Sequence, residues 1–471
     1  MALQKPPIVI VWGSRVNVNN WLRMIRGPFK AIAIVCGVLL AILLALPFLI
    51  SLNDYIPQIE KAVSIKLQEP VSIKSITFSA LPLPNLTIGR VTVGKTDDIK
   101  VETVKVIPDL FSLLSSTRVI KSIEIDSLVL TRNALDKIPV WSKPADAKAQ
   151  AEQPPFRVSS IRLVNALVRH DAASFGPFDA RVDLNEKGEP EDALITTTDG
   201  KLKVAVKPDK EKYLVDISAK SWKLPVGPAV QFDELIVKGV ATLKDAEFSQ
   251  VSARLYGGTV NGKASAGWQK GLQLKGSLDV NQVELKSLVP LISPGTKVSG
   301  RLDAKPVFSA AAADANRLMD TLRLETPFNV RNGVLHGVDI KQAATSLLRQ
   351  DTSGGETEFD HLSGRLNLAG GTYRFTQLKI ASGVLAAEGN VNISPKKELS
   401  GRVTAQVKAL GTTAGVPLNL AGTTQSPRLY PTGGTMAGAA IGTVLLPGVG
   451  TGLGAKAGQS IEKLFGSTQK K

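Results

Sequence analysis

Leu272-Gln273-Leu274-Lys275-Gly276-Ser277-Leu278-Asp279-Val280 is the stretch that decides the fold. Leu272, Leu274, Leu278 and Val280 fall on alternate positions, with Gly276 in register, and Gln273, Lys275, Ser277 and Asp279 fill the gaps. A period of two puts the four aliphatic side chains on one face of a β-strand. The pattern recurs on both sides. Leu202, Val204 and Val206 run through a lysine-rich segment, and Tyr213, Val215, Ile217 and Ala219 follow a turn at Pro208-Asp209-Lys210. Leu366 and Leu368, Tyr373 and Phe375, Val391 and Ile393, and Val403, Ala405 and Val407 continue it. Gly257-Gly258, Asn332-Gly333 and Gly370-Gly371 stand where the chain is expected to reverse. Residues 156–430 therefore read as one elongated antiparallel sheet, with roughly 25 strands at about 10–12 residues per strand and turn. Its apolar face needs cover. Alternation alone leaves two answers open: a closed sandwich or barrel core, or a curled sheet whose apolar face lines a groove.

A few helices interrupt the pattern. Ile56, Ile59, Val63 and Leu67 have helical spacing, with Asn53 as the expected N-cap. Ala310–Leu322 and Asp339–Arg349, the latter capped by Asp339, are expected to be helical as well. Strand signals fill most of the remainder of 51–142, a membrane-proximal unit. Residues 143–155 are rich in Ala, Gln, Lys and Pro and hold no large apolar side chain, a flexible linker before the β region.

Further toward the N-terminus, residues 31–50 (AIAIVCGVLLAILLALPFLI) hold no charged side chain. At about 1.5 Å per residue they cover a hydrocarbon core of roughly 30 Å, so a single transmembrane helix is expected. Residues 1–30 carry Lys5, Arg15, Arg23, Arg26 and Lys30 and no acid, which places this tail in the cytoplasm and the bulk of the chain outside it. No A-x-A-like cleavage site follows Leu49, so the anchor reads as uncleaved.

The net charge of +16 is spread along the 471 residues, without a basic block or an aromatic-interleaved basic run, which argues against a nucleic-acid partner. One cysteine, Cys36, rules out disulfides and multi-cysteine metal sites. His170, His336 and His361 are the only histidines. His170-Asp171 and Asp360-His361 are sequence neighbours that a strand would point to opposite faces. Gly262-Lys263-Ala264-Ser265-Ala266-Gly267 is one residue too long for a nucleophile elbow. The glycines around Gly450 lack the lysine-serine pair of a phosphate loop, since Lys456 is followed by Ala457. We expect no catalytic residues, no metal, no cofactor and no enzyme activity. Residues 431–471 are glycine-rich and apolar. Gly434, Gly438 and Gly442, and Gly450, Gly454 and Gly458, recur every four residues, a smooth ridge for helix packing or membrane contact on either side of Pro447.

Taken in order, several short motifs resemble the AsmA family of bacterial envelope proteins. They are Leu81-Pro82-Leu83-Pro84-Asn85-Leu86 with Val91-Thr92-Val93-Gly94, Ile120-Lys121-Ser122-Ile123-Glu124-Ile125-Asp126-Ser127-Leu128, and Tyr256-Gly257-Gly258-Thr259-Val260. Val330-Arg331-Asn332-Gly333-Val334-Leu335, Gly415-Val416-Pro417-Leu418 and Leu420-Ala421-Gly422-Thr423 follow. Gln68-Glu69-Pro70 departs from the family's usual first turn. The resemblance implies a Gram-negative inner-membrane anchor, a periplasmic β-groove and a role in outer-membrane biogenesis. That role is moving phospholipid or another acyl-chain lipid or, alternatively, acting as a scaffold for outer-membrane protein assembly with a periplasmic or outer-membrane partner. On this reading Leu202, Val204, Leu272, Leu274, Leu278, Val280, Leu366, Leu368, Val403 and Val407 line the lipid groove.

Overall fold

The computed structural model describes residues 52–432, apart from 82, 115–116, 135–136, 138–155, 171–172, 226, 270, 314–316, 346–353 and 408–414. The expected transmembrane segment, the linker and the C-terminal glycine ridges lie outside the described residues. Among those described, no helix is long and apolar enough to cross a membrane. The chain is mainly β, with antiparallel pairing dominant and short helices, and its contacts divide into two units between Ser174 and Phe175.

In the first unit β1 (Val71–Ser79), β2 (Asn85–Val93), β3 (Ile99–Pro108) and β4 (Arg118–Asp126) form an antiparallel meander. Helix α1 (Ile56–Leu67) lays Ile56, Ile59, Val63 and Leu67 on Val71, Ile73, Ile76 and Val93, the face that the spacing foretells. Asn53 is not its N-cap: a 3-10 turn over Leu52–Tyr55 precedes the helix. The Asn53 Oδ1 instead accepts a hydrogen bond from Ile76 N at 2.8 Å, Glu60 Oε1 one from Ile73 N at 2.7 Å, and Ser64 Oγ one from Val71 N at 3.0 Å. These side chains satisfy N–H groups that edge strand β1 does not give to β2, so the edge is sealed against further pairing.

Strands β5 (Val129–Thr131), β6 (Phe156–Val158) and β7 (Ser160–His170) correct one expectation. Strands β6 and β7 were expected to open the second region. They pair in parallel with β4 and β5 in the first unit, because β4 has a free edge opposite β3 and the intervening chain is long enough to return to it.

The second unit is a meander of β8 (Ala173–Leu184), β9 (Pro190–Thr197), β10 (Leu202–Asp209), β11 (Lys212–Lys223), β12 (Gln231–Ala241), β13 (Asp245–Leu255), β14 (Gly258–Gly267) and β15 (Leu272–Glu284). It continues through β16 (Arg301–Ala304), β17 (Val307–Ala312), β18 (Arg323–His336), β19 (Glu356–Ala369), β20 (Thr372–Ala381), β21 (Leu385–Ile393), β22 (Leu399–Val407), β23 (Val416–Gly422) and β24 (Pro427–Pro431). Each strand pairs antiparallel with its neighbours, and β16 and β17 share one row between β15 and β18. Among the described residues the strands from residue 156 on are fewer than the roughly 25 expected, because many are longer than the assumed repeat, up to 14 residues in β18 and β19. Two further readings change. Ala310–Ala312 lies in β17, paired with Leu272–Leu274, so the alanine run is strand there and not helix; among the described residues a 3-10 turn at Met319–Thr321 follows. Asn332-Gly333 lies within β18, and Asn332 at φ 51° makes an irregularity in the strand without reversing the chain.

Helix α2 (Leu285–Ile292) follows β15 and was not foreseen. Helix α3 (Ile340–Thr345) lies where Asp339 was expected to cap it, and Asp339 Oδ1 accepts from Gln342 N at 2.8 Å. Helix α3 touches both β19 and β24, five rows apart, which in a flat sheet would lie roughly 24 Å from each other. The sheet therefore curls around α3 at its C-terminal end.

Candidate functional site

Antiparallel partners share a face, so the register can be followed strand by strand. Leu202 pairs with Ala219, Ala219 with Leu235, Leu235 with Ala253, Ala253 with Val260, and Val260 with Val280. Leu274 pairs with Ala310, Phe308 with Leu324, and Leu324 with Leu368. Leu366 pairs with Phe375, Phe375 with Val391, Val391 with Gly401, and Gly389 with Val403. All ten side chains named from the sequence, Leu202, Val204, Leu272, Leu274, Leu278, Val280, Leu366, Leu368, Val403 and Val407, thus stand on one face of one sheet.

That face changes character along the sheet. From β10 to β15 many of its large side chains, among them Val204, Val215, Ile217, Val237, Phe248, Leu274 and Leu278, are half-buried, and the buried positions are alanines such as Ala219, Ala246 and Ala253 together with Leu255 and Val283 near the end of the stretch. Among the described residues the substantial contacts of β10 to β14 are with their neighbours in the meander. Among the described residues no second layer closes over this stretch. From β18 to β24 the same face becomes a core, with Val330, Leu385, Ala405, Leu418 and Leu429 almost fully buried around Ile340, Ala343 and Ala344 of α3.

Between the two lies a cavity of about 470 Å³. Helix α2 contributes Leu285, Val289 and Ile292, one face at i, i+4 and i+7. The sheet contributes Leu302, Phe328, Leu362, Leu366, Leu378 and Leu429 among others. Phe328 and Phe375 meet edge to face with centroids 6.1 Å apart. Of the ten expected residues, Leu366 and Val403 line this cavity, while Leu368 and Val407 are buried and the other six belong to the more open stretch. Glycines let the curled sheet close up. A Cβ on Gly389 would lie 2.2 Å from the Arg402 carbonyl, and one on Gly262 would lie 2.2 Å from that of Ser277. Both glycines sit on the apolar face, opposite Val403 and Leu278.

Helix α2 is tied down at its base. Glu284 Oε1 accepts from Lys286 N at 3.1 Å and from Gly300 N at 3.2 Å, bringing the two ends of the α2 segment together. Leu285, Val289 and Ile292 have helical spacing, but the alternation of β15 that runs up to Leu285 hides the start of α2 in the sequence.

The outer face is polar, with ion pairs such as Lys238–Asp216 at 3.0 Å and Arg331–Asp303 at 2.7 Å. Burial works to raise the Asp303 pKa, but hydrogen bonds from Gln282 and Arg331 outweigh it and hold the group below the usual carboxylate value. His361 stands exposed on this sheet, and His336 pairs with Glu356 at 2.7 Å.

In the first unit Asp98, almost fully buried, gathers Thr96 Oγ1 at 2.6 Å, Lys137 Nζ at 2.9 Å and Asn133 Nδ2 at 3.2 Å, and Lys137 also meets Glu69 at 2.6 Å. The Thr96 hydrogen bond and then that of Lys137 lower the Asp98 pKa. Each charge has an opposite partner, and the cluster fastens the chain after β5 to the turns at Glu69 and Thr96. Among the described residues no group of His, Cys, Asp and Glu is arranged to hold a metal.

The second unit is thus an antiparallel meander whose apolar face, left without a second layer among the described residues from β10 to β14, leads to an apolar cavity. The AsmA family model matches residues 171–378, from β8 into β20, so this part of the chain is an AsmA family domain. No curated protein and no solved structure matches the chain.

Proposed function

We propose that the protein holds acyl-chain lipid, phospholipid first, on the apolar face of β10 to β22, and that it works in outer-membrane biogenesis from an inner-membrane anchor at residues 31–50. Membership of the AsmA family over 171–378 supports a place in the bacterial envelope. The observation that carries the reading is the uncovered apolar face. Most of its large side chains stay partly exposed from β10 to β15 and run in register into the cavity under α2. Each CH₂ withdrawn from water is worth about 0.8 kcal/mol, so an acyl chain laid along such a face is strongly held without any polar contact. A polar outer face keeps the sheet in solution. The mechanism needs no bond making, and the protein acts as a binder or conduit rather than an enzyme.

Photo-crosslinkers placed at Leu274 and Leu366 in the full chain, and at Lys275 and Arg365 as outward controls, test this. Lipid adducts at the first two sites alone are the expected result. Adducts at the controls alone, or at none of the four, would defeat the reading.

A further inference from the structure

Resting on that reading, we infer that the cavity under α2 selects an amphiphile with an anionic head, a phosphate or carboxylate, held by Lys297 and Lys397. Both lysines line the cavity, Lys297 from the loop after α2 and Lys397 from the turn between β21 and β22. Among the described residues neither has a carboxylate within ion-pairing distance, in contrast to Lys238 and Arg331 on the outer face. The lining residue Glu388 belongs to the other side of the sheet, where it pairs with Lys379 and Thr404. The lining residue His336 is engaged by Glu356.

The backbone at Lys397 is a second observation. Its φ is 64°, a left-handed conformation that glycine or asparagine adopts far more readily than lysine. The turn closes through Ser394 N to Glu398 O at 2.9 Å and Lys397 N to Ser394 O at 2.9 Å, neither of which needs a lysine side chain. What the side chain does is place Nζ 5.3 Å from the centroid of Tyr373, itself a lining residue. An ammonium held beside an apolar cavity without a counter-charge is complementary to an anion whose tail fills the cavity. The volume falls within the range of about 300–1,000 Å³ typical of single-ligand sites, which suits one chain rather than a patch of bilayer. A free anion would leave the apolar lining empty, so the head must come with a tail.

The test uses the full chain in nanodiscs and two diazirine-bearing twelve-carbon probes, an alkyl phosphate and a neutral alkyl glucoside. Labelling is read by mass spectrometry on peptides containing Phe328, Leu362 and Leu378. Two rim lysines at partly screened positions should favour the phosphate probe by about tenfold. The double variant Lys297→Ala with Lys397→Asn should bring the two probes within about twofold while glucoside labelling is unchanged; asparagine tolerates the left-handed turn. Lys379→Asn on the outer face should leave the preference intact. Equal labelling by both probes, or a preference that survives the double variant, overturns the head-group inference but not the apolar site. Loss of labelling on adding inorganic phosphate alone would overturn it in favour of a free-anion site. Absence of labelling by either probe would sink the reading on which it rests.

Discussion

Leu418 and Leu274 occupy the same face of the same sheet, yet their truncation should differ severalfold in cost. Leu418 is 0 % exposed, in β23, within the core around α3. Leu418→Ala leaves a void that neighbours cannot fill, and such changes cost about 2–5 kcal/mol. Leu274 is half-buried on β15, and its neighbours across the sheet are Ala266 and Ala310. There the lost methyl groups already face a space open to solvent or ligand. Only part of the transfer term is forfeited and no cavity term is added, giving about 1 kcal/mol. For a unit of this size each kcal/mol moves the melting midpoint by about 2–4 °C. We expect Leu418→Ala to lower the midpoint of the second unit by about 4–20 °C and Leu274→Ala by about 2–4 °C. Hydrogen exchange of peptides from 175–432 during thermal melting of the full chain measures both. A charge sharpens the contrast: Leu274→Glu should fold and lose lipid crosslinking, whereas Leu418→Glu buries an unpaired carboxylate and should not fold. Equal losses at the two positions would show that β15 faces a closed core, and the open-face reading would be refuted.

Gly389→Val should destabilise the second unit by at least about 2 kcal/mol in urea, since the new Cβ meets the Arg402 carbonyl at 2.2 Å; an unaffected midpoint would disprove the close approach of β21 and β22. Asp98 has a pKa lowered chiefly by Thr96 and Lys137, so it stabilises the first unit above its unfolded value of about 3.9 and that contribution fades as pH falls through the lower folded value. Asp98→Asn should weaken this unit at neutral pH and flatten its acid sensitivity, visible in pH-jump hydrogen exchange of β3 and β5. Asp199 in the turn after β9, held by Thr197 Oγ1 and Lys201 N, should titrate at about 2 by NMR, and a normal value would show that the turn is not closed. Glu284→Ala removes the acceptor for Lys286 N and Gly300 N and should speed exchange across 285–300 by about fivefold, equivalent to about 1 kcal/mol, without changing the global midpoint.

The strands were legible because alternation is a local signal. Leu272 to Val280 states its face without reference to any partner, and the register carries that face intact across fifteen strands. What the sequence could not show is how far each side chain is covered. Leu274 and Leu418 look alike in the chain, and only α3, folded back onto β19 and β22 to β24, makes one of them core. Ala310 to Ala312 misled because alanine favours helix in isolation, while pairing with Leu272–Leu274 overrode that preference. Asn53 misled for a related reason: its side chain serves the edge of β1 rather than the helix it precedes.

Helix α3 also restricts how a ligand can lie. Ile340, Ala343 and Ala344 are at most 4 % exposed and fill the curled end of the sheet between β19 and β24. Its entry is pinned by Thr357 Oγ1, which accepts from Ile340 N at 3.0 Å and donates to the Val338 carbonyl at 2.7 Å. Beyond the cavity, therefore, the apolar face is already occupied by the protein's own side chains. On the proposed reading, an acyl chain held against β18 to β22 would enter along β15 and β16 or beneath α2. Helix α2 has the weaker hold of the two helices, since its contacts with the sheet are sparse and its base rests on Glu284 and Gly300. The side chains that cover the cavity, Leu285, Val289 and Ile292, are also those a longer tail would displace. The boundary between core and site on this face is then set by two short helices, one seated among buried alanines and one resting over space.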